Sequence, residues 1–505
     1  MLVPPSMASH RAAEDPIEYP RTMTMEAPRS TAAADGVAEA AAREQLRVEV
    51  VAELVAELGD AVRLDLATLN AARADKSGHV SPTAPLAVVE ATTIEQVQAT
   101  MRFATAHRIP VVPRGAGTGL AGAAIASKGE LVLSTRSMSR ILEISIDDEL
   151  AVVEPGVLNG DLNAVLAERG LWWAPDPASK AISTIGGNIA TNAGGLLCMK
   201  YGVTREAVLG LKVVLSDGRL IQLGHRTVKG VTGYDLTALM IGSEGTLGIV
   251  VEATLKLRPL PRGNVATISA SFASVELAAR AAAVIVASGI KPAVMELLDG
   301  RALEAIGAYL GMELGSSDGR GAQLLVQSDG TGAETEAGDA LAVIRSLGGE
   351  AELTTDRAEG EKLFVIRRSF HPAMEARGTV LIEDVAVPRS ALPAMFAAIE
   401  RIETKYGIDI PTVAHAGDGN LHPNFVFQGD EVDGHVEVPD SVWAAADELF
   451  ADCLRLGGTL TGEHGVGILK KRWLRDELGD DSVQLQKELK QVFDPLGILN
   501  PGKVF

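Results

Sequence analysis

Residues Ile109–Gly122, IPVVPRGAGTGLAG, decide how the chain is read. Ile109 to Val112 is a short apolar run interrupted by Pro110, and Pro113 is expected to end it. Gly115, Gly117, Gly119 and Gly122 follow. Glycines at this density let a backbone take positive φ and turn its N–H groups toward an anion. A strand emptying into such a loop reads as a phosphate cradle. Gly117-x-Gly119-x-x-Gly122 also fits the dinucleotide fingerprint, which requires a crossover helix next and then a strand ending in an acid. The only candidate helix is Ala123–Lys128, cut by Gly129, and the next strand, Leu131–Leu133, ends in Ser134-Thr135-Arg136. The fingerprint fails on context, so a different cradle is needed.

Two further glycine-rich stretches supply it. Ser183-Thr-Ile-Gly-Gly-Asn-Ile-Ala-Thr-Asn-Ala-Gly-Gly195 mixes glycine with short hydroxyl and amide side chains, which bond a polar heteroaromatic or a phosphate without adding charge. Ile241-Gly-Ser-Glu-Gly-Thr-Leu-Gly-Ile-Val250 runs on as a strand to Leu257. Around them the pattern gives one or two helices over Val37–Ala72, a strand at Leu86–Glu90, and a helix to about His107 opened by the capping box Thr92-x-x-Glu95. Strands at Ile141–Ile144 and Ala151–Glu154, a helix at Gly160–Arg169 and a hairpin turning at Asp217-Gly218 follow. Pro259, Pro261 and Gly263 mark a boundary. Beyond it, strands near Thr267–Phe272, Val294–Leu298, Ala322–Gln327 and Val380–Val387 alternate with helices near Val275–Ala287, Arg301–Leu310, Glu334–Leu347, Glu361–Arg377 and Ala391–Tyr406. This grammar suggests a sheet with helices on one face.

The chain has 505 residues, enough for two or three domains. A net charge of −20 argues against nucleic acid and an anionic membrane surface as main partners. Cys198 and Cys453 form no motif, which points to a reducing compartment and a cytoplasmic location, peripheral at a membrane only through a partner. No apolar run approaches membrane-spanning length. Residues 1–40, rich in Ala, Pro and Ser at first, are expected to be disordered, with Met23 or Met25 as alternative starts.

The sharpest side-chain pattern is His415-Ala-Gly-Asp-Gly-Asn-Leu-His422. If Asp418-Gly419 is a two-residue hairpin turn, His415 faces His422, and Asn424 points the same way. Directly opposed residues share a face, with Cβ atoms roughly 5 Å apart, so the two imidazoles can chelate one ion. Glu463, in Thr461-Gly-Glu-His-Gly-Val-Gly467, offers a third ligand, and two histidines with one carboxylate leave open coordination positions. His464 is then a spare base. The plain alternative is a set of hydrogen-bonded structural residues. For Arg367-Arg368, on the predicted helix Glu361–Arg377, a solvated helix face is the preferred reading from spacing.

Taken in order, Pro113–Gly119, Gly186–Gly195, Gly242–Gly248, His415–His422, Gly462–Gly465 and Asn500–Lys503 resemble the FAD-linked oxidase family with the vanillyl-alcohol-oxidase type of flavin fold. The nearest branch holds the glycolate oxidase flavin subunit, D-lactate dehydrogenase and (R)-2-hydroxyglutarate dehydrogenase, and the resemblance spans about Pro82–Phe505. It implies an α+β fold: an FAD-binding domain over 41–262, a cap over 263–450, and a C-terminal segment over 451–505 returning to the FAD domain. It implies that Pro113, Arg114, Gly115, Ala116, Gly117, Thr118 and Gly119 wrap the pyrophosphate, and that Pro155, Gly156, Pro175 and Asp176 line the flavin. Thr184, Gly187, Asn188, Thr191 and Gly195 would complete the shell, with Glu244, Gly248 and Ile249 near the adenosine. His415, His422 and Glu463 would hold a divalent metal, zinc first with manganese or iron as alternatives. Asn424 and Arg367 would grip the substrate carboxylate, and His464 would take the hydroxyl proton.

Pro113–Gly122 lacks His and Cys, so FAD is expected to be non-covalent. Phe364 stands where relatives often carry tryptophan, and Val380–Asp384 lacks the lysine of the (R)-2-hydroxyglutarate enzymes. Glycolate or D-lactate is therefore the expected substrate, (R)-2-hydroxyglutarate the alternative. The resemblance leaves the electron acceptor open among an electron-transfer protein, a quinone and an iron–sulfur partner subunit, and allows a homodimer. A flavin subunit active only in a glycolate oxidase complex is a competing reading, since the chain has no CxxC motif of its own. A metal-dependent hydrolase using His415, His422 and Glu463 is another.

Overall fold

Strand Val111–Arg114, which feeds the first glycine stretch, lies at the edge of a four-stranded sheet. Its neighbour is Leu131–Ser134, then Ala87–Glu90, both parallel to it, and last the short antiparallel Val62–Arg63. Val88, Val112 and Val132 fill the space beneath. Pro113 does not end the strand: it pairs with Leu133, as an edge position allows for a residue without an N–H. Residues 123–128 are turns and irregular chain, so the helix that a dinucleotide fold needs here is missing. Helix Ile94–His107 makes the crossover, capped one residue later than expected, by Thr93, whose hydroxyl accepts from the Gln96 N–H.

This computed structural model describes residues 45, 47–315, 321–429, 431–432 and 435–505; the expected tail over 1–40 lies outside them. Contacts group the chain as Met1–Val50 and Val51–Phe505. All site residues belong to the second unit. Among the described residues no helix is long and apolar enough to cross a membrane.

A second, antiparallel sheet runs in the order Ile141–Ser145, Leu150–Val153, Ile249–Lys256, Val208–Val214, Leu220–Gly224. The second and third glycine stretches are hung from it. The third sheet is eight-stranded and built from residues 264–427. Its centre is Val294–Leu298 beside Thr412–His415 beside Asn420–Phe427. Helices cover both of its faces, not one. Met295, Leu297, Ala414, Leu421 and Phe425 point to helices Val275–Ala287, Ala333–Ser346, Leu392–Tyr406 and Asp440–Arg455. Val294, Leu298 and Val413 point to Gly300–Leu310 and Phe370–Glu375. By the two-residue period of a strand, Glu296 and His415 fall on this second face.

Two expected elements are broken. The helix over Glu361–Arg377 is Arg357–Arg368 followed by Phe370–Glu375, with the break at Ser369. The strand over Val380–Val387 is Thr379–Ile382 and then Val385–Ala386, with Glu383-Asp384 between them. Helix Asp440–Arg455 runs through residue 450 without a break. After helix Leu474–Phe493 the chain returns to the first sheet: Val111 N–H donates to Ile498 O (2.7 Å) and Asn500 N–H to Val111 O (2.8 Å).

Candidate active site

The three glycine stretches converge. A Cβ on Gly115 would stand 2.6 Å from Thr184 Oγ1, and one on Gly245 2.9 Å from Pro113 Cγ. Gly242 and Glu244 N–H groups donate to Ile189 and Ala190 carbonyls. Arg114 gives its guanidinium to the carbonyls of Ala71, Ala74 and Ala124, which folds the loop around it. Gly117, at φ +70°, rests against that guanidinium: its Cβ would be 2.2 Å from Nη2. The loop through Ala116, Thr118 and Gly119 stays half-buried.

Thr184 caps helix Ile185–Thr191 by accepting from Gly187 N–H, and Thr191 bonds back to Gly187 O. Gly186 N–H donates to Pro155 O, Gly156 N–H to Met138 O, and Asn159 holds Pro175 O. Asp176 accepts from Leu197 N–H, and burial pushes its carboxyl up to about 7. Asn188 Nδ2 and Ser183 Oγ are buried without partners in the chain. Orphaned donors beside a glycine cradle fit a polar cofactor such as FAD.

Glu244, expected near the adenosine, also has a role within the chain. Both of its oxygens accept from the N–H groups of Val466 and Gly467, so the carboxylate braces the loop that carries Glu463 and His464. Gly248 packs on Val213, and Ile249 starts a strand with alternate residues buried.

The hairpin at His415–His422 has a different register from the one expected. His415 opposes Asn420, and His422 opposes Val413; the loop is Ala416–Gly419. The shift is by two residues, so every side chain keeps its face. The imidazoles meet diagonally, ring centroids 5.1 Å apart. Glu463 Oε1 lies 3.5 Å from His415 Nε2 and 3.2 Å from His422 Nε2. One ligand atom from each of the three lies within 4.8 Å of the others. Asp384, His422 and His464 form a second such group, sharing His422. Two imidazoles and a carboxylate in a buried recess fit a divalent ion with open positions.

Each expected ligand histidine has a buried carboxylate behind it. Glu296 Oε1 meets His415 Nδ1 at 2.6 Å, and Glu296 Oε2 accepts from Arg367 Nε at 2.7 Å. Such outer partners orient a ligand imidazole. Arg367 is therefore not on a solvated face: its side chain is 14% exposed, against 56% for Arg368. Burial works to raise the Glu296 carboxyl, but His415 and Arg367 hold it below the usual range. Burial likewise opposes ionisation of Glu463, which His415 and His422 hold well below the usual range. His464 stacks on His422 at 5.2 Å, and burial pulls it down to about 4. Asn424 is buried, donates to His422 O and leaves Oδ1 unpartnered.

The two halves of the site touch. A Cβ on Gly194, in the second glycine stretch, would stand 2.5 Å from Glu463 Oε2. Sequence reasoning missed Glu296, and it passed over Asp384. The signal was present: Glu296 is the one acid in the buried strand Val294–Leu298, and Asp384 interrupts an apolar run.

Residues 85–224 match the FAD binding domain and residues 262–504 the C-terminal domain of FAD linked oxidases. The glycolate oxidase subunit GlcD of Bacillus subtilis is 40% identical over 429 residues, covering 83% of this chain and 89% of that protein. The chain belongs to the FAD-linked oxidase family. It is an FAD-dependent oxidoreductase. The chain is also similar to a D-lactate dehydrogenase of Archaeoglobus fulgidus, 34% identical, covering 83% of this chain and 90% of that protein. A D-2-hydroxyglutarate dehydrogenase of Stutzerimonas stutzeri is 34% identical, covering 88% and 96%. p-Cresol methylhydroxylase, 19% identical, shares the fold at a TM-score of 0.72, covering 90% of this chain and 96% of that one.

Proposed function

We propose that this FAD-linked oxidase oxidises a small 2-hydroxy acid, glycolate or D-lactate first, to the 2-oxo acid. The relatives named glycolate oxidase subunit and D-lactate dehydrogenase support the reaction class. The observation that carries the reading is the meeting of His415, His422 and Glu463 against Gly194 of the glycine cradle, with His464 stacked beside them. Bound FAD supplies a hydride acceptor, and a divalent ion, zinc first, supplies a Lewis acid for the substrate oxygen. His415, His422 and Glu463 would hold the ion. The hydroxyl proton goes to an imidazole nitrogen of His464, which burial keeps unprotonated near neutrality. Arg367 commits Nε to Glu296 and offers its Nη groups to the carboxylate, beside Asn424.

Ile382 pairs with Asn424 and lines a cavity of about 230 Å³ with Leu120, Val380 and Thr379, which suits a short substrate side chain. Lys76 and His371 at the same cavity keep (R)-2-hydroxyglutarate as the alternative. A second reading, a flavin subunit that works only in a complex, is favoured by the word subunit in the GlcD names. A hydrolase would leave the three converging glycine stretches without a role.

Adding each acid to the purified protein without oxygen, and following the flavin absorbance, tests the proposal. Bleaching by glycolate or D-lactate supports it. A flavin that no 2-hydroxy acid bleaches, even with partner subunits added back, refutes it.

A further inference from the structure

The loop Thr461–Gly467 carries both Glu463 and His464, yet it is not part of any helix or strand. Its position is set by two buried carboxylates from opposite sides. Glu244, from the third glycine stretch, takes the N–H groups of Val466 and Gly467. Asp384, from the gap between strands Thr379–Ile382 and Val385–Ala386, takes the front of the loop. Its Oδ2 accepts from Thr461 Oγ1 (2.7 Å), Glu463 N–H (3.0 Å) and His464 N–H (2.9 Å). Its Oδ1 accepts from Asn420 Nδ2 (2.6 Å) and lies 3.8 Å from His422 Nδ1. The carboxylate is fully buried. Lys470 holds the backbone at both ends of the arrangement, through Asp384 O and Leu460 O.

We infer that Asp384 is the positioning residue of the site: one carboxylate sets the backbone of both Glu463 and His464 and faces the ring of His422. This rests on the proposed roles of those three residues. The physical reason is one of count. Three donors converge on one oxygen, a demand that an ionised carboxylate meets and a neutral amide cannot meet with both of its ends. A Glu would place the oxygens one methylene too far into a packed space. An Asp at the break of a strand is what lets the charge reach the loop.

The test uses the full chain with FAD bound, loaded with Co²⁺ and titrated with a competing chelator while the visible Co²⁺ bands are followed. Asp384→Asn is expected to keep its FAD absorbance and to lose Co²⁺ affinity by about 10–100-fold, the range for an outer-shell change. The shape of the Co²⁺ bands is expected to change too, which a general loss of stability would not cause. Flavin reduction should slow with little change in KM. Thr461→Val, which removes one of three donors to Oδ2, should give a smaller loss in the same direction. If Asp384→Asn folds and binds Co²⁺ with unaltered affinity and spectrum, the inference is overturned. If it does not fold, unchanged Co²⁺ binding by Thr461→Val overturns it. A wild type that binds no Co²⁺ sinks the ligand set itself and Asp384's role with it, whereas a wild type that binds Co²⁺ beside an unaffected variant sinks Asp384 alone.

Discussion

The two halves of the site are made of different materials. The glycine half is backbone: three glycine stretches that touch one another, with Arg114 and Glu244 bonding and shaping the loops. The histidine half is side chain: His415, His422, Glu463 and His464, each held by a neighbour through a specific hydrogen bond or ring contact. A backbone site fails when a side chain is added. A side-chain site fails when one is removed. FAD retention and metal content should therefore respond to different substitutions.

The largest expected effect is on the chemistry. His464→Ala should slow anaerobic flavin reduction by about 10²–10⁴-fold, the range for a lost general base, while FAD stays bound; an undiminished rate would remove His464 from the reaction. His422→Ala should strip the divalent metal and leave the flavin spectrum intact. Elemental analysis checks this, and loss of FAD along with the metal would break the contrast between the halves. Gly117→Ala should do the converse, because φ +70° and the Arg114 guanidinium leave no room for a Cβ; weaker FAD binding with normal metal content is the outcome to measure. Arg367→Ala should raise KM and cost up to about 3–5 kcal/mol of stability by leaving buried Glu296 Oε2 without its partner, with only His415 still on Oε1. Arg368→Ala, on the exposed neighbour, should cost about 0–1 kcal/mol, so equal unfolding midpoints for the pair would return Arg367 to an ordinary surface position. The smallest effect is one of pH. A base pulled down to about 4 is unprotonated at higher pH and is lost only as protons bind it. Reduction should be flat from about pH 6 to 8 and fall toward pH 4; a fall centred near pH 6.5 would mean that His464 keeps an ordinary imidazole pKa.

The same contrast governs what could be read in the sequence. Glycine clusters announce themselves by identity, and the strands and turns around Gly115, Gly187 and Gly245 fall close to where periodicity puts them. The histidine hairpin was legible as a constellation but not in register. The Asp-Gly dipeptide suggests a two-residue turn, whereas the pairing closes through the four-residue loop Ala416–Gly419; the apolar alternation of Ala414, Leu421 and Phe425 fixes only which face each side chain takes, and both pairings satisfy it. Arg367 was misplaced because Glu361–Arg377 reads as one amphipathic helix, and nothing local says that it breaks at Ser369. The buried carboxylates were hardest. Glu296 meets a histidine 119 residues away, and Asp384 a backbone amide 80 residues away. No period connects such pairs; only an acid inside an apolar run hints at them.

The strand pair that carries the histidines behaves like a ratchet with a pitch of two. A slide of two residues, the difference between the expected and the observed pairing, exchanges one partner for another on the same side and leaves both imidazoles facing the recess. A slide of one would carry His422 into the aliphatic layer and bring Leu421 and Phe425 out into the recess. Chemistry and packing thus enforce the same parity, and a chain that satisfied either one would be steered toward the other.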